Sequence, residues 1–371
     1  MSGKNIFTDN SRLITESLVR AGADVFIGYP ITPANLLYYY SSKRFPVFMA
    51  APDEITTVQW MCGYAASGKL PVTATSFPGY ALMIEGINMA VMMELPLVVI
   101  LVQRLGPATG TATMGAQGDM ALLNGSISGG MPVPSFCLSH SGDCWEIPVK
   151  ALEVAVKLRT PVVILTSKEE VMTMSNIDIN NLKPIRKINR KYYKGEETYL
   201  PYNADETLVP PFLPLTDTRH QVRITASTHD TRGILQNSTK EALDNSKRLN
   251  NKVTQNLHEF TCYEIDEEAG ADTIILSYGI TAQSCCEAVS SLRSDGHKVS
   301  LLIAKTIFPV PHCYFEILNK YKNIVVAEEN YCGQYRKILF GVEHSAHITG
   351  VNEFGKMISP DLIVKEVLSH A

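Results

Sequence analysis

LPLVVILV, residues 95–102, is an almost unbroken aliphatic run that passes directly into QRLGPATG, residues 103–110. A strand covered by helices on both faces reads as continuous Val, Ile and Leu, whereas a strand with one wet face alternates apolar with polar. Residues 161–166 (PVVILT) repeat the pattern. Around these two runs, shorter strand candidates at 23–27 (ADVFI), 47–50 and 72–76 (VTATS) alternate with helix candidates at 33–42, 52–67, 81–93 and 148–158. Thr32 is placed as the N-cap of the 33–42 helix and Pro33 at its first position. Buried strands alternating with helices predict an α/β fold built on a doubly wound parallel sheet.

Beyond residue 180 the character changes. Prolines cluster at Pro201, Pro210, Pro211 and Pro214, and residues 216–252 are polar. A structureless loop of that length is uncommon in a compact protein, so one helix near 237–257 is expected within an irregular connector. The alternation then returns, with strands expected at 273–278 (TIILSY), 299–303 and 323–327 and helices at 282–294 and 312–320. The chain of 371 residues thus divides into 1–185, a connector at 186–264, and a smaller α/β domain at 265–371.

Composition excludes several function classes. Hydrophobic residues make up 45% and charged residues 19%, as a large buried core requires. A net charge of −4 and one basic run, 183–194 (KPIRKINRKYYK), leave no footprint for nucleic acid, and the run reads as a solvated connector. The polar start MSGKNIFTDNS is no signal peptide and no apolar run is long enough for a membrane, so a cytoplasmic location is expected. The eight cysteines then read as free thiols, with no C-x-x-C pair for zinc or an iron–sulfur cluster. No metal site is expected: His344 and His347, placed in a helix, read as surface or packing residues. The Cys285–Cys286 pair and the Met-rich residues 83–94 read as interior packing.

In open α/β sheets ligands bind outside the carboxyl ends of the strands. Four segments fall there: 28–33 (GYPITP), the Asp53-Glu54 pair, 75–79 (TSFPG) and 103–110 (QRLGPATG). Taken singly, each has a plain structural reading. Thr32 caps a helix, Glu54 complements a helix dipole, Arg104 pairs at the surface, and 106–110 is a turn.

Taken together and in this order, the four strings resemble the α subunit of 2-oxoacid:ferredoxin oxidoreductases, most nearly the 2-oxoglutarate branch. Residues 228–233 (THDTRG) resemble that family's connector motif, and Tyr278-Gly279 the first turn of its C-terminal domain, which is similar to that of transketolase. The resemblance implies CoA-dependent oxidative decarboxylation of a 2-oxoacid to an acyl-CoA and CO2, with electrons passed to ferredoxin and thiamine diphosphate as electron sink. On this resemblance Glu54 falls on the glutamate that hydrogen-bonds the far nitrogen of the aminopyrimidine. Arg104 falls on the arginine that clamps the substrate carboxylate, and Thr32 on a threonine that contacts substrate or cofactor. Tyr29, Pro30, Ile31 and Phe77 fall along the cofactor. The residue types suit these roles: a desolvated carboxyl gains proton affinity, and a guanidinium fork meets a planar carboxylate bidentately where lysine does not.

The Gly-Asp-Gly turn and downstream asparagine that grip the diphosphate and its Mg2+ are missing, since Gly118-Asp119-Met120 with Asn124 has a different spacing. The resemblance assigns that end, with Mg2+ and a [4Fe–4S] cluster, to a β-type partner subunit. The cofactor is then shared within a hetero-oligomer that can include γ and δ subunits, and the chain alone is expected to be inactive. Departures from the family pattern stand at Phe77, Ala108, the stretch after Gly110, and 129–132 (GGMP). They leave the substrate open between 2-oxoglutarate and pyruvate, branched or aryl 2-oxoacids. Two further readings stay open: a non-catalytic thiamine-fold scaffold or regulatory subunit, and a transketolase-type transferase. Intact Glu54 and Arg104 speak against the first, and the GYPITP and QRLGPATG strings against the second.

Overall fold

The computed structural model describes residues 5–369. The chain opens with β1 (Asn5–Asp9), α1 (Asn10–Ala21), β2 (Val25–Gly28), α2 (Asn35–Arg44), β3 (Val47–Ala50), α3 (Glu54–Ala66), β4 (Pro71–Thr75), α4 (Phe77–Met93) and β5 (Leu97–Gln103). There follow α5 (Met120–Asn124), β6 (Ser135–Cys137), α6 (Ser141–Leu158), β7 (Pro161–Ser167), α7 (Lys168–Met172) and β8 (Met174–Asp178). The connector carries α8 (Lys240–Gln255) and α9 (Leu257–Phe260). The last part comprises β9 (Tyr263–Asp266), β10 (Thr273–Ser277), α10 (Thr281–Ser294), β11 (Val299–Ala304), β12 (Thr306–Phe308), α11 (His312–Leu318), β13 (Asn323–Glu328), α12 (Gln334–Phe340), β14 (Ile348–Asn352) and α13 (Pro360–Leu368).

The main sheet runs β12-β6-β7-β5-β4-β2-β3 and is parallel except for β12. Alternation along β5 explains the two helical layers. Leu97, Val99 and Leu101 join the core formed with Val58 and Met61 of α3 and Met83 and Ile87 of α4. Val98, Ile100 and Val102 join the opposite core, with Leu13, Ile14 and Leu18 of α1 and Leu152 and Ala155 of α6. Every residue of β5 and β7 is buried, as their continuous apolar runs require.

A second sheet runs β14-β13-β10-β11-β9, parallel except for β9. Ile274, Leu276 and Tyr278 join the core beneath α3 and α4, whereas Ile275, Leu301 and Val325 pack with the α10 and α13 side. The two sheets therefore share one apolar core. Although late in the chain, β12 completes the edge of the first sheet by pairing with β6.

Several expectations need correction. The helix expected from Pro33 begins at Asn35, with Ala34 as an N-cap that makes no side-chain bond. Thr32 and Pro33 stay in the preceding turn, where the Thr32 carbonyl accepts from Arg104 Nη1 at 2.6 Å. That bond ties the backbone to the strand edge instead of the helix. α6 starts well ahead of Pro148, because His140 caps it by accepting the Asp143 N–H at 3.3 Å and the helix carries the proline inside. His344 and His347 lie in a loop, since Gly341 ends α12 at φ 85°. Cys285 is buried but Cys286 is exposed, as consecutive helix positions point in different directions. The basic run is held down rather than free: Arg190 pairs with Asp24 at 2.7 Å and donates to the Gly22 and Gly68 carbonyls. Among the described residues no helix is long and apolar enough to cross a membrane.

One buried carboxyl makes stability pH-dependent. Glu170 is 1% exposed; Thr166 donates to its Oε2 at 2.7 Å, while its Oε1 has no partner. Burial pushes its pKa up to about 8. Above the ordinary carboxyl pKa the unfolded chain releases this proton and the folded chain does not, so stability is full below that value and falls as pH rises toward about 8. The slope approaches about 1.4 kcal/mol per pH unit where the difference is one whole proton. Thermal melts between pH 5 and 8 are expected to show a fall that Glu170→Gln, a neutral isostere, flattens.

Candidate active site

Neighbouring strands in the order β5-β4-β2-β3 end at one sheet edge and deliver the four motif segments there. Asp53 caps α3, its Oδ1 accepting the Thr56 N–H at 2.6 Å. Glu54, the first residue of the helix, turns inward and is only 6% exposed. It faces the start of α4. A methyl group at Gly79 would lie 2.6 Å from Glu54 Oε1 and 2.1 Å from Thr75 Oγ1, so the close approach of this carboxyl to α4 requires glycine. Gly79→Ala should displace Glu54 at an overpacking cost of about 1–3 kcal/mol, read as roughly tenfold to hundredfold weaker thiamine diphosphate binding in the assembled protein.

Arg104 follows β5 and is 5% exposed. One of its nitrogens is engaged by the Thr32 carbonyl, while Nε has no partner. Ser76 Oγ, just past β4, is likewise buried without a partner, and Gln103 at the end of β5 meets the buried Asp119 carboxyl. An unpaired buried polar atom costs about 1–3 kcal/mol, so two on one sheet edge, Arg104 Nε and Ser76 Oγ, mark a surface arranged for a polar ligand. Burial raises the Glu54 pKa and the Asp53 charge adds to this, against the pull of its own backbone N–H and of Arg104. A carboxyl of raised proton affinity on the same sheet edge as a guanidinium with a free N–H fits the aminopyrimidine and carboxylate partners that thiamine chemistry needs.

Glu54, Arg104 and Thr32 therefore converge, Thr32 through its main-chain carbonyl. Tyr29 and Pro30 are exposed and Ile31 and Phe77 partly buried, forming an open rim. Asp119 was not singled out as a site residue in the sequence. It is 3% exposed, and burial pushes its pKa up to about 7 against the pull of Gln103 and Arg104. Its available signal was the resemblance of residues 117–120 to the family's Gln-x-Asp-Leu string. Away from this edge, His140, Asp143 and Glu264 bring ligand atoms within 4.8 Å of one another. The Lys305 ammonium bonds to all three, which makes the cluster an ion-pair network.

The family profile described as pyruvate flavodoxin/ferredoxin oxidoreductase, thiamine diphosphate-binding, matches residues 16–254. The chain belongs to this oxidoreductase family. A second profile, core domain II of pyruvate:ferredoxin oxidoreductase, matches residues 271–357 of the subunit. The 2-oxoglutarate synthase subunit KorA of Methanocaldococcus jannaschii is 29% identical, over 98% of this chain and 99% of its own length. The subunit of the same name from Methanothermobacter thermautotrophicus is 31% identical over 82% of each chain. A solved 2-oxoglutarate:ferredoxin oxidoreductase from Magnetococcus marinus, with 2-oxoglutarate, coenzyme A and succinyl-CoA bound, superposes with a TM-score of 0.92 at 27% identity. That match covers 99% of this oxidoreductase subunit and 65% of the Magnetococcus chain. The resemblance read from four ordered strings is borne out, as are the α/β fold and membership of an enzyme.

Proposed function

We propose that this oxidoreductase subunit supplies the pyrimidine-binding half of an active site that oxidatively decarboxylates 2-oxoglutarate to an acyl-CoA and CO2, with electrons leaving to ferredoxin. One observation carries the reading: a buried carboxyl of raised proton affinity, Glu54, and a buried guanidinium with an unpaired N–H, Arg104, stand on one sheet edge where the charge of each acts on the other. The relatives named 2-oxoglutarate synthase favour that substrate.

Bound thiamine diphosphate supplies the electron sink for decarboxylation. Glu54 holds a proton toward the far ring nitrogen, and Tyr29, Pro30, Ile31 and Phe77 flank the ring. Arg104 grips the substrate carboxylate, with its rotamer set by the Thr32 carbonyl. The diphosphate, Mg2+ and a [4Fe–4S] cluster belong to a β-type partner, in a hetero-oligomer that can include γ and δ subunits. Exposed apolar side chains beside the site support such a partner: Ile55 is 52%, Leu82 50% and Trp60 37% exposed. The three-part division at 185 and 264 and a cytoplasmic location complete the reading, the latter in line with eight free thiols.

The test is co-purification with the β-type partner, followed by viologen reduction with a panel of 2-oxoacids. The expected preference is for 2-oxoglutarate; a preference for pyruvate or a branched acid would overturn the substrate assignment. In the same assay Arg104→Lys should raise KM for the 2-oxoacid by about 10–100-fold, the worth of one charged, bidentate contact. An unchanged KM would remove Arg104 from substrate binding.

A further inference from the structure

The geometry points to Gln117 as a positioning residue for Arg104, through which the second sheet sets the substrate clamp. The inference rests on the reading of Arg104 as the carboxylate grip. Arg104 begins an excursion of the chain between β5 and α5. A clasp closes that excursion: the Leu105 N–H donates to the Met114 carbonyl at 2.8 Å, and the Thr111 N–H to the Leu105 carbonyl at 3.0 Å. The returning arm is then anchored, first where the Gly115 N–H donates to Glu169 Oε1 at 2.9 Å.

Gln117 is the second and larger anchor. Its side chain is 1% exposed and leaves the first sheet altogether. Nε2 donates to the Tyr278 carbonyl at 2.9 Å, and Oε1 accepts from the Thr281 hydroxyl at 3.1 Å and the Glu329 N–H at 2.8 Å. Its own N–H donates to the Glu329 carbonyl at 2.8 Å, and its carbonyl accepts from Asn330 Nδ2 at 3.2 Å. Tyr278 and Glu329 immediately follow β10 and β13, so one glutamine bridges the carboxyl ends of two strands of the second sheet. Gly279, at φ +62°, completes the socket, because a methyl group there would lie 2.6 Å from Gln117 Nε2.

The anchor reaches the site by two short routes. Backward along the chain it holds the Met114 carbonyl that clasps Leu105, the neighbour of Arg104. Forward, Asp119 is buried where its charge acts on Arg104, and Gln334 Nε2 secures the link by donating to the Gly118 carbonyl at 2.8 Å. A long guanidinium side chain with an unpaired Nε needs a fixed backbone to present that nitrogen in one place. A displacement of about 1 Å at a substrate contact costs up to about 10²-fold.

The experiment uses the enzyme assembled with its partner subunits and compares Gln117→Ala, Thr281→Val, Thr281→Ser, Arg104→Gln and the Arg104→Gln/Gln117→Ala double variant. Gln117→Ala should raise KM for the 2-oxoacid about tenfold or more, with the Kd for thiamine diphosphate within twofold of wild type. Thr281→Val removes, at constant volume, the hydroxyl that bonds Gln117 and also meets the Glu329 carboxyl, and should raise KM about threefold, while Thr281→Ser keeps the hydroxyl and restores it. The double variant should be no worse than Arg104→Gln alone, because both act through one contact. A KM unchanged in Gln117→Ala and in Thr281→Val, full additivity in the double variant, or an equal loss of cofactor binding would overturn the inference. A wild-type KM in Arg104→Gln would instead overturn the clamp reading beneath it.

Discussion

Glu54→Gln is expected to lower kcat of the assembled enzyme by about 10²–10⁴-fold, the usual contribution of a positioned proton-transfer group. Glutamine has nearly the same shape, so the packing against Gly79 and the start of α4 survives and cofactor affinity should change little. What is lost is a group able to share its proton with a ring nitrogen. The environment has prepared that proton: the side chain is buried and its pKa is raised. Viologen reduction under saturating 2-oxoacid, with cofactor binding measured alongside, separates the two effects. A rate within threefold of wild type would take Glu54 out of the chemistry and favour a scaffold role.

Glu94→Ala is expected to destabilise the protein by about 3–5 kcal/mol, as removal of one member of a buried ion cluster does. Glu94 ends α4 in the left-handed region at φ 54° and is completely buried. Lys252 Nζ donates to its Oε2 at 2.6 Å, and the Arg248 guanidinium bonds both carboxylate oxygens, with Nη1 at 3.1 Å from Oε2. Arg159 adds a third cation, its Nε donating to the Glu94 carbonyl at 3.3 Å and its Nη1 to the Pro211 carbonyl at 2.6 Å. Burial alone would raise the Glu94 pKa; the cations more than offset it and hold the carboxylate well below its usual range. Alanine would leave Lys252 and Arg248 without their shared carboxylate, keeping only bonds to the Arg159 and Leu208 carbonyls and to Asn245, and α8 would lose its ionic fastening to the end of α4. For 371 residues unfolding together, this loss corresponds to a melting temperature lower by about 4–6 °C. A fall below about 1 °C would show that the cluster is not holding α8.

Both residues illustrate how differently the parts of this chain could be read. The sheet was legible because burial on two faces writes itself as uninterrupted aliphatic runs, and β3, β5 and β7 lie where 47–50, 95–102 and 161–166 placed them, within two residues. Glu54 and Arg104 were legible only as members of an ordered set of strings. Glu94 carried no signal, since a glutamate ending a Met-rich helix looks solvated until a helix some 150 residues later brings two cations to it. Thr32 misled because a threonine before a proline has the form of a cap, while a guanidinium 72 residues away claimed its carbonyl. Gln117 and Asp119 were visible as part of a motif but without a task.

Local sequence thus determined the alternation of strand and helix, the two-faced burial of β5 and the delivery of chemistry-bearing residues to strand ends, because each depends on the periodicity and turn preferences of neighbouring residues. Tertiary structure alone decided which buried polar groups stay unpaired, where β12 pairs, and how the second sheet reaches the Arg104 excursion through Gln117. Those outcomes depend on groups far apart along the chain, whose desolvation and charge take their values only when the two sheets close over a common core.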